Sequence, residues 1–169
     1  MVDRLFLDYS VQKLRQAAGR VDECLARLTE DQVWARGAPN ENAPGNLVLH
    51  LCGNVRQWVI SGVGRSPNTR DRDAEFAADG GMGTSDLRRM LRQTVEEAVP
   101  VIERQTAEQL EQQIQVQNYR VAVLEAIYHV VEHFAGHAGQ IIFVTKALTG
   151  EDLGFYKHLK YSAHREQTP

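Results

Sequence analysis

The sequence predicts an all-α protein built as a four-helix bundle. Four long stretches repeat apolar residues every three or four positions, which is the period of an amphipathic helix. The stretches between them are rich in glycine, proline and aspartate. Four such helices in a chain of 169 residues most simply pack around one core. We therefore expect a single domain over residues 1–169, with a flexible tail from about residue 160.

The first two helices are predicted over about residues 3–28 and 43–61. The first carries its apolar stripe on every third or fourth residue, and residues 29–45 are predicted to form a loop. Asn42 is the expected N-cap of the second helix, and Pro44 suits its first turn.

A long connection over residues 62–83 precedes the third helix. Its length is typical of a functional loop or of a crossover between bundle helices. The third helix should begin at Thr84 or Ser85, both good caps, and Pro100 should bend or weaken it.

The fourth helix is predicted over about residues 121–148 and is closed by Gly150. Residues 112–119 alternate polar and apolar, which indicates a short extended segment without an obvious partner strand. One further helical turn is expected around residues 156–159.

Composition excludes several classes of protein. A net charge of −3 and a pI near 6.1 argue against a nucleic-acid-binding surface. Two cysteines are too few for a disulfide framework, and the N-terminus lacks the apolar core of a signal peptide. No apolar run is long enough to cross a membrane. We therefore expect a cytoplasmic protein.

Three histidines are the candidate metal ligands. His133 and His137 are four residues apart on the fourth helix, so both imidazoles point the same way. His50 lies on the second helix beside its apolar stripe. His129 belongs to the same series, but it is rotated about 40° further from the core, so it is only a secondary candidate.

Three imidazoles predict a particular chemistry. Neutral imidazole suits Zn²⁺ or Ni²⁺ best here, with Fe, Mn or Cu as alternatives. Three protein ligands leave at least one coordination position open, as in catalytic metal sites. With no carboxylate or thiolate ligand, the ion keeps its full charge, so it can acidify bound water or hold a thiolate.

Polar residues accompany the histidines on both helices. Asn54 and Gln57 lie within about 40° of His50 on the helical wheel, and Gln140 lies about 20° from His133. We expect these three side chains to contact substrate, and Gln140 also suits the orientation of a ligand histidine.

A simpler interpretation is that these histidines are hydrogen-bonded side chains beside the core. The spacing alone does not decide between the two interpretations. A protease-type zinc helix is excluded, because that motif needs glutamate directly after its first histidine and Phe134 stands there.

Two stretches resemble the DinB-like superfamily. They are residues 45–58, Gly-Asn-Leu-Val-Leu-His-Leu-Cys-Gly-Asn-Val-Arg-Gln-Trp, and residues 129–140, His-Val-Val-Glu-His-Phe-Ala-Gly-His-Ala-Gly-Gln. The resemblance implies an up-down-down-up bundle that is often dimeric, with a metal triad at His50, His133 and His137. Many members have His-Arg-Gly-Gln where this chain has His-Ala-Gly-Gln, so no role of that arginine carries over.

The resemblance also implies an activity. Characterised relatives use low-molecular-weight thiols such as bacillithiol or mycothiol, as S-transferases or isomerases. The leading hypothesis is therefore a metal-dependent transferase acting on a small thiol or electrophile. A metal-dependent hydrolase ranks lower, because Glu132 points away from the site and no better general base is apparent. A non-catalytic metal- or ligand-binding stress protein is the third, and it would lack a cavity that reaches the metal.

Overall fold

Four long helices form the body of the protein in a computed structural model that describes residues 2–160. They are α1 (Val2–Leu25), α3 (Pro44–Val55), α5 (Thr84–Glu103) and α7 (Val123–Thr149). Helix α3 continues without a break into a π-helical segment, Arg56–Val63. The mostly helical fold expected from the sequence is thus confirmed.

Short elements fill the connections. They are α2 (Glu30–Trp34), α4 (Arg72–Ala77), α6 (Ala107–Glu111), the strands β1 (Gln113–Val116) and β2 (Tyr119–Ala122), and a 3₁₀ turn at Lys157–Lys160. The predicted flexible tail from about residue 160 lies almost wholly outside the described residues.

Side-chain contacts give the directions of α1 and α5. Arg15 near the middle of α1 pairs with Glu96, and Asp22 near its end pairs with Arg88 near the start of α5. Since the residue numbers run in opposite senses, the two helices are antiparallel.

The other two helices follow in the same way. Cys52 contacts Thr94, and Gly64 approaches Val101, so α3 with its π-helical segment runs parallel to α5. Helix α7 is antiparallel to α3, because His133 meets His50 whereas the earlier His129 stacks on the later Trp58. These directions give the order up, down, down, up.

The core lies between the four long helices. Each helix buries one apolar stripe, and burial of a large aliphatic or aromatic side chain stabilises the fold by about 1.5–3 kcal/mol. Fully buried side chains from all four include Leu14, Leu51, Leu91, Ile127 and Phe134.

Two helix starts differ from the prediction: a side chain in the first turn caps one, and a distant side chain caps the other. Ala43, not Asn42, is the N-cap of α3, because the Asn46 side chain accepts a hydrogen bond from the Ala43 backbone N–H at 3.1 Å. Gly83, not Thr84 or Ser85, is the N-cap of α5. There the Glu30 carboxylate of α2 accepts the Thr84 backbone N–H at 3.0 Å, which suits the positive end of the helix dipole.

The predicted loop over residues 29–45 contains α2. Thr29 Oγ1 accepts the Gln32 backbone N–H, and Gln32 Oε1 accepts the Thr29 backbone N–H, so the two residues form a capping box. Val33 is fully buried and anchors the helix to the core. The sequence analysis did not predict this short helix, whereas residues 35–43 form a loop before α3 as expected.

A β-hairpin stands where the sequence predicted an unpaired extended segment. Strand β1 pairs antiparallel with β2, from Gln113 opposite Ala122 to Val116 opposite Tyr119. Gln117 in the turn takes a positive φ of 55°. The prediction was wrong because the partner strand was assigned partly to the start of the fourth helix, which begins at Val123.

The hairpin rests on the π-helical segment. A Cβ at Gly62 would lie 2.6 Å from Val116 Cγ2 and 3.3 Å from the Gln57 carbonyl oxygen. Only glycine allows this approach.

Over residues 2–160, none of the helices has both the length and the apolar character needed to span a membrane.

We predict opposite effects of two Gly→Ala substitutions on stability. Gly62→Ala should lower the free energy of unfolding by about 1–3 kcal/mol, because the new methyl group overpacks the hairpin contact. Gly19→Ala is the matched control, since a Cβ there meets nothing within 4 Å. It should raise stability by about 0.5–1 kcal/mol through helix propensity. Urea unfolding measures both, and a Gly62→Ala variant as stable as Gly19→Ala would contradict the contact.

Candidate metal centre

Three histidine side chains converge between α3 and α7. His50 is buried, and His133 and His137 are partly buried. Their possible ligand atoms all lie within 4.8 Å of one another, and the ring centroids are 4.5 to 5.0 Å apart. The structure thus brings together the three histidines that the sequence singled out.

Within this cluster, His50 Nε2 and His133 Nε2 lie 3.0 Å apart. Two nitrogens that each lie about 2.0–2.1 Å from one ion are about 2.9–3.4 Å apart at octahedral or tetrahedral angles. The observed separation falls in that range. These two side chains therefore fit a shared metal ion without movement of either helix.

The packing of each helix accounts for this convergence. Leu47 and Leu51 are buried on either side of His50 along α3, and Phe134 and Ala138 flank the histidines of α7. The core stripes fix the rotation of both helices about their axes. The polar edges of the two stripes meet where His50 approaches His133, near the middle of α7.

A buried ion pair stands behind His50. Arg70 Nε donates to Glu75 Oε1 at 2.7 Å, and Arg70 Nη2 donates to Glu75 Oε2 at 2.8 Å. Only 4% of the Arg70 side chain and 10% of the Glu75 side chain are exposed. Glu75 Oε2 also lies 3.0 Å from His50 Nδ1.

The charge state of Glu75 follows from these contacts. Burial acts to raise the pKa of this carboxyl, but hydrogen bonds from Arg70 and His50 outweigh it and hold the pKa below its usual range. Glu75 is therefore a carboxylate, which can only accept hydrogen bonds.

The protonation of His50 follows in turn. Arg70 Nη2 also lies 3.0 Å from His50 Nδ1, and a guanidinium can only donate. The contact with Glu75 requires a proton on Nδ1, whereas a hydrogen bond from Arg70 requires a lone pair on Nδ1. We assign the Nδ1 proton to the bond with the Glu75 carboxylate, because Arg70 already has two acceptors on Glu75 and a third on Gln57. In the neutral ring with this tautomer, Nε2 is the nitrogen that carries the lone pair.

His137 has a comparable partner. Its Nδ1 lies 2.7 Å from Gln140 Oε1, an oxygen that can only accept. The Nδ1–H of His137 therefore donates to Gln140 and leaves Nε2 with the lone pair. This is the orienting contact expected for Gln140.

The three histidines of α7 are poor bases in this setting. Burial, with the neighbouring histidines as a further cause, lowers the pKa of His133 to about 4. Burial also lowers the pKa values of His137 and His129. The rings are neutral at neutral pH, which is the form that binds metal ions.

A cavity of about 500 Å³ opens beside His50 and His133. This volume is typical of a small-molecule site. One wall is aromatic, formed by Trp58, Tyr119 and His129, and the rest is mainly polar. The other lining residues are Asn54, Arg70, Arg72, Gln117, Val121 and Glu125.

The other predicted site residues take different places. Asn54 is buried and lines the cavity, and its Oδ1 has no hydrogen-bond partner over residues 2–160. Gln57 Oε1 accepts from Arg70 Nη1 at 2.9 Å and from Gln117 Nε2 at 2.8 Å, so Gln57 holds two neighbours in position. His129 stacks on Trp58 with ring centroids 4.4 Å apart and stands outside the three-histidine cluster.

Glu75 and the hairpin residues were missed from the sequence. Nothing in the spacing of Glu75 connects it to His50, since it lies on the short helix α4 inside a predicted loop. Three arginines of this region take separate places. Arg70 pairs with Glu75, Arg72 lines the cavity with its guanidinium over Phe76, and Arg56 pairs with Glu97.

Comparison with known proteins identifies the family. Residues 1–159 match the family described as a protein of unknown function, DUF1572, and the chain belongs to it. No protein of curated function matches the sequence.

Two solved structures share the fold. A conserved protein from Enterococcus faecalis superposes with a TM-score of 0.75 at 18% identity, over 85% of this chain and 97% of its own. A DinB-like protein from Bacillus subtilis superposes with a TM-score of 0.67 at 18% identity, over 88% of this chain and 97% of its own. The predicted DinB-like assignment is confirmed at the level of fold.

We predict that the metal-free protein loses stability as the pH falls from about 6.5 towards 4.5. The unfolded His133 takes up a proton near its ordinary pKa of 6.5, whereas the folded residue does so only near 4. Between these values the unfolded chain binds more protons, so the free energy of unfolding falls with pH. Partial exposure screens the effect, and we expect a loss of about 1–3 kcal/mol.

Urea unfolding of chelator-treated protein across this range measures the loss. His133→Gln should make the free energy of unfolding depend less steeply on pH. Part of the dependence should persist, because the pKa values of His129 and His137 are also lowered. Glu75 adds a loss of the same sign only below its ordinary pKa of 4.5, so it does not confuse this window. An unchanged slope in His133→Gln would refute the assignment.

Proposed function

We propose that this member of the DUF1572 family binds a divalent metal ion through Nε2 of His50, His133 and His137. The observation that carries the proposal is the convergence of three imidazoles, with His50 Nε2 and His133 Nε2 at 3.0 Å. Hydrogen bonds from Nδ1 of His50 and His137 support it, because second contacts of this kind leave Nε2 as the ligand atom. His129 is not part of the proposed ligand set.

Zn²⁺ and Ni²⁺ suit three imidazoles best, and Fe, Mn and Cu ions are the alternatives. Three protein ligands leave room for a further ligand, and the cavity beside His50 and His133 gives it space. This cavity favours a catalytic site over a vestigial one, which would be filled by side chains.

The charges around the site favour an anionic ligand. The three imidazoles carry no negative charge, and the charge of Glu75 is balanced by Arg70. Nothing in the ligand set therefore offsets the charge of a bound cation. On the cavity wall, the opposite charges of Arg72 and Glu125 balance each other. A bound cation lowers the pKa of a thiol, so a thiolate is the form of ligand that fits.

We propose that the activity is transfer between a small thiol and an electrophile. The thiol loses its proton to solvent, its sulfur forms a bond to the electrophilic atom, and the leaving group departs with its electron pair. The aromatic wall of Trp58, Tyr119 and His129 offers a flat apolar surface to the electrophile. Asn54 Oδ1 offers a buried acceptor beside it.

Hydrolysis has less support. A hydrolase needs a carboxylate or imidazole base near the open coordination position. Of the two such groups outside the ligand set that line the cavity, Glu125 already accepts the Ala122 backbone N–H at 2.7 Å, and the His129 ring packs against Trp58. Glu75 is engaged by Arg70 and His50, and Glu132 is exposed on the outside of α7. The absence of nucleic-acid and membrane partners, a homodimeric assembly and a cytoplasmic location stay predictions from the sequence.

We predict that metal content depends on the three histidines. Untagged protein purified without chelator should contain about one ion per chain by elemental analysis. His50→Ala, His133→Ala and His137→Ala should each lose most of it, since two imidazoles bind far more weakly than three. His158→Ala is the matched control, because His158 lies in the groove lined by Arg15 and Phe155, away from the cluster. Equal metal content in all variants would end the proposal.

We also predict thiol-transfer activity that needs His50. Metal-loaded wild-type protein should accelerate the reaction of a small thiol, such as cysteine, with an activated aryl chloride above its uncatalysed rate. His50→Ala should return the rate to background, whereas His158→Ala should keep it. Equal rates for wild type and His50→Ala would refute the transferase while leaving the metal content as a separate result.

A further inference from the structure

We infer that Glu75, held in place by Arg70, is a positioning residue that fixes the Nδ1–H tautomer of His50 and so turns the His50 Nε2 lone pair towards His133 and His137. The inference deepens the proposed metal site and rests on it. It assigns a role to a buried carboxylate and a buried arginine that the proposed chemistry does not otherwise use.

The first observation is how completely the Glu75 carboxylate is used. Oε1 accepts from Arg70 Nε, Oε2 accepts from Arg70 Nη2, and His50 Nδ1 lies 3.0 Å from Oε2, within hydrogen-bond distance. A bidentate guanidinium contact holds the plane of the carboxylate, so the third bond defines where His50 Nδ1 must lie. Glu75 does not line the cavity, which places it behind the ligand and apart from the substrate.

The second observation is that the surface of α3 leaves space for the ion pair at Gly53. A Cβ at Gly53 would collide with Glu75 Oε1 and lie 2.8 Å from Arg70 Nε. Gly53 is three residues from His50, on the adjacent turn of the same helix. The helix therefore leaves an opening beside the ligand histidine, and the ion pair fills it.

Hydrogen bonds also hold the backbone around Glu75 in place. Asn46 Nδ2 donates to the Glu75 carbonyl oxygen at 3.0 Å and to the Ala78 carbonyl oxygen at 2.6 Å. Asp71 caps α4 by accepting the Ala74 backbone N–H at 3.0 Å. The segment that carries Glu75 is thus fixed to the start of α3, the helix that carries His50.

Arg70 is held from its other side by the cavity wall. Its Nη1 donates to Gln57 Oε1 at 2.9 Å, and Gln117 in the hairpin turn donates to the same oxygen at 2.8 Å. A continuous hydrogen-bonded chain therefore runs from the hairpin through Gln57, Arg70 and Glu75 to His50. Each link has the geometry of an ordinary hydrogen bond.

Stability alone does not account for this arrangement. A buried ion pair contributes little net stability compared with apolar side chains of similar volume, because both charges lose their hydration. An orienting role explains why a charged pair stands beside the ligand. The opposite tautomer, with Nδ1 accepting from Arg70, would place a proton on His50 Nε2 and aim it at His133 Nε2.

The direct test is the tautomer of His50 in the metal-free protein. Long-range ¹H–¹⁵N NMR of ¹⁵N-histidine-labelled protein at neutral pH distinguishes the two forms, and His50→Gln assigns the signals. We expect Nδ1–H in the wild type. Glu75→Gln should shift the ring towards Nε2–H and weaken Zn²⁺ binding in a chelator competition by about 10–100-fold.

Glu97→Gln is the matched control, because Glu97 also pairs with an arginine, Arg56, but on the exposed surface. It should leave both the tautomer and the Zn²⁺ affinity unchanged. A purely structural role of Glu75 would lower stability without changing the tautomer.

Two results would overturn the inference. One is a wild-type His50 in the Nε2–H form, which needs no variant and so does not depend on whether Glu75→Gln folds. The other is a folded Glu75→Gln variant with the wild-type tautomer and affinity. If wild type binds no Zn²⁺, the proposed function fails by itself, and the tautomer still decides whether Glu75 orients His50.

Discussion

The approach of His50 on α3 to His133 on α7 is the constraint on which the rest of the site depends. The two residues are 83 positions apart in the chain, yet their Nε2 atoms lie 3.0 Å from each other. A rotation of either helix by one residue, about 100°, would separate them. The buried stripes of both helices prevent that rotation, so the hydrophobic core indirectly sets the geometry of the polar site.

The site combines costly features that the fold does not need for stability. A buried arginine and glutamate, a buried asparagine oxygen without a partner over residues 2–160, and a cavity of about 500 Å³ each lower stability compared with a filled apolar core. They lie side by side around the histidines. Such clustering is typical of a functional site, where a cavity and oriented polar side chains are kept although they lower the stability of the fold.

Much of the fold and the three histidines could be predicted because they depend on periodic patterns. The four long helices follow from their apolar repeats, and the spacing of His133 and His137 puts both rings on one face. The placement of His50 opposite them needed the resemblance to the DinB-like superfamily as well, since one helix does not specify which other helix it packs against.

The parts that could not be predicted depend on contacts between distant segments. Glu75 reaches His50 from a short helix that has too few residues for a clear period. The start of α5 is capped by Glu30, which is more than fifty residues away. The helix therefore begins one residue earlier than the N-cap preference of Thr84 or Ser85 predicts. The hairpin was missed because its second strand directly precedes α7, without a turn residue to separate them.

The central claim is that one ion is bound by these three imidazoles and by no others. Diffraction from crystals of Zn²⁺-loaded protein, with data at the zinc absorption edge, tests it most directly. We predict a single anomalous peak about 2.0–2.2 Å from Nε2 of His50, His133 and His137. A peak elsewhere, or one in which His129 replaces a member of the set, would contradict the account.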